Sequence, residues 1–184
     1  MKLIILDRDG VINQDSDAYI KSPEEWLPIE NSLQAIAKLS RAGYRVFVAT
    51  NQSGLARGLF DIETLNAIHQ KMTNAVQAVG GSIEAILFCP HGPDDHCNCR
   101  KPKPGLYEEI GQRTQQSLRD VPVVGDSLRD IQAAISIEAS PILVRTGKGE
   151  KTIEQLRTDY PQVPIFKDLF SVTEHLIEQQ RINQ

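Results

Sequence analysis

The chain has 184 residues, with 20 basic and 24 acidic side chains and a net charge of −4 at neutral pH. That length is sufficient for one domain to bury a core without disulfide bonds, and the acidic balance argues against a general nucleic-acid or anionic-membrane binder. No stretch approaches the roughly 18 apolar residues of a membrane span, and the N-terminal apolar run ends at Asp7, too early for a secretory signal. We expect a cytoplasmic monomer with reduced cysteines and with no membrane or nucleic-acid partner.

The first predicted element is a strand over 2–6, and further continuous apolar runs predict strands over 44–50, 85–89, 121–125 and 141–145. Periodic apolar positions predict helices over 31–43, 61–79, 105–118, 128–138 and 168–180. Helices that alternate with fully apolar strands are typical of an α/β fold. The sequence therefore predicts one domain over 1–184, with a doubly wound, Rossmann-like, mainly parallel sheet, helices on both faces and no large cap domain.

Acidic residues follow two of the predicted strands, where a doubly wound sheet binds its ligands. Asp7 and Asp9 follow the first strand in DRDG, and Asp126 and Asp130 follow the fourth in GDSLRD. Asp7, Asp9 and Asp126 would repel one another if buried together, so they indicate a hard cation such as Mg²⁺, which in turn suits a phosphate. The alternative is that these acids are helix caps or turn formers, and that Asp130 is a solvated acid in the first turn of a helix.

Polar and basic residues follow the second and third strands. Thr50 and Asn51 end the second strand, and Arg100 and Lys101 come at the end of the loop after the third. Parallel strands bring these ends to the same edge as the carboxylates, where hydroxyl, amide and cationic groups would bind a phosphate. A capping role for Thr50 and Asn51, and a solvated basic pair for Arg100 and Lys101, are the alternatives.

The SGLARG segment after the second strand contains Ser53 and Arg57. It either contacts a phosphate or only turns the chain. Two histidines elsewhere, His69 and His175, lie on helical patterns, and we expect ordinary core or surface roles for them.

All three cysteines lie in one loop, in the pattern C-x-H-x5-C-x-C formed by Cys89, His91, Cys97 and Cys99. Four such ligands without a vacancy are typical of a closed, tetrahedral, structural zinc site. Free thiols or a disulfide bond are the alternatives. His96 is a rival ligand, but adjacent side chains seldom both reach one ion. Zinc in the loop 89–99 would fix its shape, so that the basic pair after it faces the phosphate.

The order DxDG, Thr-Asn, Lys and GDSxxD resembles the haloacid dehalogenase superfamily of phosphohydrolases over nearly the whole chain. More narrowly, DRDGVIN, TNQSGLARG, CPH, CxCRKPKPG and VGDSLRDIQAA resemble its zinc-loop branch, which contains the D,D-heptose 1,7-bisphosphate phosphatases and the histidinol-phosphate phosphatase domain. Ser127 is a departure, because family members often carry Lys at this position.

The resemblance implies that Asp7 is the nucleophile, which becomes an aspartyl phosphate, and that Asp9 is the general acid and base. Mg²⁺ would bind the Asp7 carboxylate, the Asp9 backbone carbonyl and the Asp126 carboxylate, while Asp130 braces the site. Thr50 and Asn51, with Lys101, would hold the phosphoryl oxygens.

The resemblance also implies a small phosphorylated sugar as substrate, with Arg100, Arg57 and Ser53 as further contacts. The expected reaction removes the 7-phosphate of D-glycero-D-manno-heptose 1,7-bisphosphate, in the synthesis of lipopolysaccharide heptose precursors. Histidinol phosphate or another small sugar phosphate is the alternative substrate. The non-enzymatic alternative is a phosphoacceptor receiver-like module. In such a module the acceptor is expected at a middle strand, and this chain is longer than expected for one.

Overall fold

The computed structural model describes residues 2–182. Strands and helices alternate in the order β1 (Lys2–Leu6), α1 (Ser32–Arg41), β2 (Tyr44–Asn51), α2 (Ile62–Ala78), β3 (Ala85–Cys89), α3 (Gly105–Thr114), β4 (Pro122–Gly125), α4 (Leu128–Ser136), β5 (Ser140–Val144), α5 (Gly149–Asp159), β6 (Ile165–Phe166) and α6 (Leu169–Ile182). Within this range, no helix has the length and apolar character needed to cross a membrane.

The six strands form one parallel sheet in the order β3-β2-β1-β4-β5-β6. The chain starts at β1 in the middle, adds β2 and β3 on one side, and then crosses to β4 on the other side. Strand order therefore reverses between β1 and β4, and such a reversal opens a crevice at the carboxyl ends of the two strands. The predicted doubly wound α/β class is confirmed, and the carboxylates that follow β1 and β4 flank this crevice.

Alternate residues of β1 point to opposite faces of the sheet, and helices cover both faces. Ile4 and Leu6 belong to a core that includes apolar residues of α1, α2 and α6. Leu3 and Ile5 belong to a second core, with residues of α3 and α4. Because both faces are buried, the strand is apolar at every position from Leu3 to Leu6, which explains its clear signal in the sequence.

Two elements, α5 and β6, were not predicted, and among the predicted helices α3 differs most from its expected end. Helix α5 is largely polar and buries few apolar side chains, chiefly Ile153 and Leu156, while β6 has only two residues. Helix α3 ends at Thr114 rather than at 118, because Gln115 adopts a left-handed conformation with φ of 53°. Leu118 is buried after this turn, so the apolar pattern continues although the helix does not.

The segment 13–26 after β1 forms a wall of the crevice and is anchored at its end. Trp26 is only 1% exposed and packs in the core together with Ile20. Lys71 of α2 donates to the carbonyl oxygens of Pro23 at 2.6 Å and of Trp26 at 3.0 Å. These contacts hold the wall to the body of the fold, and residues 2–182 contain no separate cap domain over it.

Candidate active site

A cleft of about 320 Å³ lies at the crevice beyond β1, β2 and β4. It is large enough for a small phosphorylated molecule, although it lies at the low end of the usual range for ligand pockets. Every predicted site residue outside the zinc loop lines it, namely Asp7, Asp9, Thr50, Asn51, Ser53, Arg57, Arg100, Lys101 and Asp126.

The carboxylates of Asp7, Asp126 and Asp130 converge at the bottom of the cleft, with oxygens within 4.8 Å of one another. Burial raises the pKa of Asp7 to about 7 and that of Asp126 to about 8, and neighbouring carboxylates add to both shifts. A bound cation would relieve this cost by neutralising the charge. The donor set fits Mg²⁺, and Asp7 and Asp126 are the carboxylates that would hold it.

Both carboxylate oxygens of Asp130 already accept hydrogen bonds from protein groups. Its Oδ1 accepts from Lys101 Nζ at 2.6 Å, and its Oδ2 accepts from the backbone N–H of Ser127 at 3.1 Å and from the Ser127 hydroxyl at 2.6 Å. Burial disfavours the ionised form, but Lys101 and these hydrogen bonds outweigh it and lower the pKa of Asp130. This carboxylate orients Lys101 and caps α4.

Two glycines allow the Asp126 carboxylate to lie close to the backbone. Gly10 and Gly147 have φ values of 82° and 60°. A Cβ atom would lie 2.0 Å from Asp126 Oδ2 at Gly10 and 2.2 Å from it at Gly147. The same oxygen accepts the backbone N–H of Lys148 at 2.8 Å. Only glycine at these two positions combines the left-handed backbone with this close approach.

The carboxylate of Asp9 points away from the acidic cluster. Its Oδ1 accepts from Asn13 Nδ2 at 2.9 Å and from Arg8, and its Oδ2 accepts from Gln52 Nε2 at 3.0 Å. Burial opposes ionisation, but the charge of Arg8 and these hydrogen bonds lower the pKa of Asp9 overall. The Asp9 side chain therefore takes no part in the cluster expected for Asp7, Asp9 and Asp126, and among the described residues Asp130 lies there instead.

Lys101 lies beneath the nucleophile candidate and is 3% exposed. Its Nζ contacts Asp7 Oδ1 at 3.0 Å, Asp130 Oδ1 at 2.6 Å and the carbonyl oxygen of Ala49 at 2.8 Å. The Asn51 amide fixes the Lys101 backbone, since Nδ2 donates to the Lys101 carbonyl at 3.1 Å and Oδ1 accepts its N–H at 3.1 Å. All three ammonium protons thus have protein acceptors, and a phosphoryl oxygen would have to replace one of them.

We expect Lys101→Met to lower the free energy of unfolding by about 3–5 kcal/mol, because it leaves two buried carboxylates without their countercharge. Urea unfolding at pH 7 without added metal measures the effect. Lys151→Met, at an exposed lysine of α5, is the matched control and should unfold at the urea concentration of the parent chain. Equal unfolding midpoints for the two variants would contradict the stabilising role of Lys101.

The four predicted zinc ligands lie together at the end of β3. Cys89 Sγ lies 3.6 Å from Cys97 Sγ, 3.0 Å from Cys99 Sγ and 3.6 Å from His91 Nδ1. His91 Nδ1 lies 3.3 Å from Cys99 Sγ. The two sulfur–sulfur separations, 3.6 and 3.0 Å, are shorter than the about 3.8 Å between sulfur ligands of a tetrahedral zinc ion. His96 is exposed and lies outside the cluster.

The conformation of the cysteine loop affects the cleft, because Arg100 follows the loop directly. Burial raises the pKa of the Cys89 thiol well above its usual range, so a cation is needed to hold the thiolate there. Arg100 directly follows the last cysteine, and its Nη1 donates to the His91 carbonyl at 3.2 Å. The shape of the loop therefore determines where the Arg100 guanidinium stands in the cleft.

The cleft also contains residues that the sequence reasoning did not single out, including Arg129, Lys148, Asp15 and Tyr19. Lys148 Nζ forms an ion pair with Asp15 Oδ2 at 3.1 Å, and the Arg57 guanidinium lies 5.9 Å from the centre of the Tyr19 ring. Lys148 lies in RTGKG, directly after β5. The rule that chemistry follows strand ends, applied to that strand too, would have indicated Lys148.

Comparison with known proteins reveals similarity along almost the whole chain. A family model described as HAD-hydrolase-like matches residues 98–171. A D-glycero-beta-D-manno-heptose-1,7-bisphosphate 7-phosphatase of Bordetella bronchiseptica is 57% identical over 97% of this chain and 99% of its own. The Pseudomonas putida protein of the same name is 53% identical over 96% of this chain and 100% of its own.

A solved structure agrees in fold. The crystal structure of D,D-heptose 1,7-bisphosphate phosphatase from B. bronchiseptica, complexed with magnesium and phosphate, superposes with a TM-score of 0.94 at 57% identity, covering 97% of this chain and 99% of that chain. With the cleft and its carboxylates, these similarities confirm the predicted family. The chain belongs to the haloacid dehalogenase-like phosphatases, in the family of the heptose-1,7-bisphosphate 7-phosphatases, and is a phosphoric monoester hydrolase.

Proposed function

We propose that the enzyme removes the 7-phosphate of D-glycero-D-manno-heptose 1,7-bisphosphate through an aspartyl-phosphate intermediate on Asp7. The observation that carries the proposal is the convergence of Asp7, Asp126 and Lys101 at the bottom of a cleft whose rim is cationic. The substrate named for relatives 57% and 53% identical supports the same assignment.

Asp7 is oriented for attack by contacts on one of its two oxygens. Oδ1 accepts the Arg8 backbone N–H at 2.7 Å and contacts Lys101 Nζ at 3.0 Å. Among residues 2–182 these contacts all fall on Oδ1, so the other oxygen is available to a phosphorus atom. Mg²⁺, when bound, would neutralise charge on the carboxylates and on the phosphoryl group.

In the first step, an Asp7 oxygen forms a bond to phosphorus as the bond from phosphorus to the sugar oxygen breaks. The electron pair of that bond stays on the sugar oxygen, which takes a proton from Asp9. Asp9 therefore has to be protonated in the substrate complex, although Arg8 and its hydrogen bonds lower its pKa in the free enzyme. In the second step, water attacks the phosphorus of the aspartyl phosphate and gives its proton to Asp9. The bond between phosphorus and Asp7 breaks, which regenerates the carboxylate and releases inorganic phosphate.

Binding of the transferred phosphoryl group is assigned to Thr50, Asn51 and Lys101, which line the cleft beside Asp7. Thr50 Oγ1 accepts from Gln52 Nε2 at 2.9 Å, so its hydroxyl proton can be donated to a phosphoryl oxygen. The Asn51 amide uses one Nδ2 proton for Lys101, and within residues 2–182 the other proton has no acceptor. Such donors stabilise the charge that accumulates on the phosphoryl oxygens.

The second phosphate of a bisphosphate would meet the basic rim of the cleft. Arg57, Arg100 and Arg129 line it, together with Lys148. Asp15 and Asp17 are the acidic residues of the same rim, and the charge of Asp15 is offset by Lys148. A distal dianion gains more from this surface than the ammonium and imidazole groups of histidinol phosphate would.

We expect kcat/KM to be higher for the heptose 1,7-bisphosphate than for histidinol phosphate, with the 1-phosphate left intact. Arg57→Ala and Arg100→Ala should each lower kcat/KM for the bisphosphate about tenfold or more, the loss expected for a hydrogen bond to a charged group. Phosphate release at fixed Mg²⁺ and pH measures both, and phosphorus NMR identifies the product.

Arg113→Ala is the control for the arginine substitutions, because Arg113 is exposed on α3 and pairs with Glu109. It should leave the preference unchanged. Higher efficiency with histidinol phosphate would overturn the heptose assignment and leave the phosphatase chemistry in place.

A further inference from the structure

The side chain of Arg8, between the two catalytic aspartates, is turned into the protein and is 1% exposed. Its Nε and Nη2 donate to Asp9 Oδ1 at 3.2 and 3.0 Å, and Nη2 also lies 3.1 Å from Asp9 Oδ2. The guanidinium thus contacts both oxygens of the Asp9 carboxylate and, together with the Asn13 and Gln52 amides, fixes its position. The orientation of Asp9 therefore depends on what holds Arg8.

His69 of α2 holds the far side of this guanidinium. Its Nε2 lies 3.1 Å from Arg8 Nη1, and its ring, in a residue 8% exposed, packs near Phe88 with 6.1 Å between ring centres. Burial, and secondly the charge of Arg8, lower the pKa of His69 to about 3. The imidazole is therefore neutral, and Nε2 accepts the hydrogen bond from Arg8.

Arg8 has few other anchors. Nη2 donates to Gln52 Oε1 at 3.3 Å, a longer contact, and within residues 2–182 His69 is the partner of Nη1. A buried N–H without an acceptor is costly, so a guanidinium that lost His69 would rotate or admit water. Either change would move the Asp9 carboxylate, which has to lie within hydrogen-bond reach of the leaving oxygen.

We propose that His69 is a positioning residue of this phosphatase, which acts through Arg8 to hold the Asp9 carboxylate where it can exchange a proton with the leaving oxygen and with water. The inference rests on the proposed role of Asp9 as general acid and base. It gives His69 a function in the reaction rather than the ordinary core or surface role expected from its helical pattern.

Two amide variants, His69→Gln and His69→Asn, distinguish this positioning role from a role in packing alone. Gln can place its side-chain oxygen near the position of Nε2 and accept from Arg8, whereas Asn is one methylene shorter and falls short of it. The equivalent His175→Asn is the control, because His175 packs on Phe166 at 5.1 Å, outside the cleft. Thermal melting first establishes that each variant is folded, and His69→Leu replaces His69→Asn if the latter is not.

The measurement is kcat/KM of the Mg²⁺-loaded enzyme for two substrates with different leaving groups. The sugar oxygen of the heptose bisphosphate needs a proton to leave, whereas p-nitrophenolate leaves without one. Because general acid catalysis contributes about 10²–10⁴-fold, we expect His69→Asn to lower kcat/KM for the sugar substrate about tenfold or more and for p-nitrophenyl phosphate less than about twofold. His69→Gln should recover most of the loss, and His175→Asn should match the parent enzyme.

Asp9→Asn, measured with the same two substrates, distinguishes failure of the inference from failure of the proposed function. If Asp9→Asn selectively impairs the sugar substrate but His69→Asn lowers both values equally, or His69→Gln restores nothing, the positioning role is wrong and the proposed function stands. If Asp9→Asn also leaves the selectivity unchanged, Asp9 is not the general acid, and the assignment on which the inference rests is wrong.

Discussion

We expect Asp7→Asn to lower kcat by on the order of 10⁴–10⁶-fold, as removal of a nucleophile does, while the fold survives. Asn keeps the shape of the side chain but lacks the anionic oxygen that bonds to phosphorus. Lys101 retains its contacts with Asp130 and Ala49, so its charge stays compensated. Phosphate release from the sugar bisphosphate at saturating Mg²⁺ measures the loss.

The control for this prediction is Asp159→Asn, at an exposed aspartate that ends α5. It removes the same charge without touching the cleft and should retain full turnover. Far-UV circular dichroism and the melting temperature should be similar for the two variants. Turnover near the parent rate by Asp7→Asn, free of contaminating parent enzyme, would show that Asp7 is not the nucleophile.

The second large effect is expected at the cysteine loop. The purified chain should contain about one zinc ion, and Cys97→Ala should reduce that to near zero, because a closed structural site needs all four ligands. Ordering of the loop is lost with the metal, and a loss of about 2 kcal/mol lowers the melting temperature of a chain this size by roughly 4–8 °C. Activity should fall as well, since Arg100 is held to the carbonyl of His91.

Elemental analysis, thermal melting and phosphate release on one preparation test these three consequences together. His96→Ala is the matched control, because His96 lies in the same loop but outside the cluster. It should keep the metal, the melting temperature and the activity. Retention of zinc by Cys97→Ala, or its absence from the parent chain after expression with ample zinc, would contradict the prediction.

Most of the elements were predictable because their signals are local. A buried parallel strand such as β1 is a continuous apolar run, and a helix such as α1 repeats its apolar positions with helical period. Strand β6 and helix α5 lack such signals. β6 is a two-residue strand paired with β5, and α5 rests on Leu143 through Ile153 and Leu156, so both depend on contacts with distant parts of the chain.

The cysteine loop, as a candidate metal site, and the strand-end motifs could be identified from sequence for a similar reason. The four proposed zinc ligands lie within 89–99, and their residue types restrict the metal strongly. The order of the remaining motifs indicated which residues face the crevice, because parallel strands bring successive carboxyl ends to one edge. The residue types and their order therefore indicate most of the chemistry of the proposed site.

The sequence by itself therefore determined the α/β class, the family resemblance and most of the chemically important residues of the cleft, but not Arg129 or Lys148. The tertiary structure decided how those residues are paired: Lys101 between Asp7 and Asp130, the Asn51 amide on the Lys101 backbone, and His69 behind Arg8. These partners lie between 29 and 94 positions apart in the chain. Local periodicity predicts the face of a helix or strand on which a side chain lies. The partner of that side chain depends on how each crossover helix packs against the sheet, and only the folded chain establishes this packing.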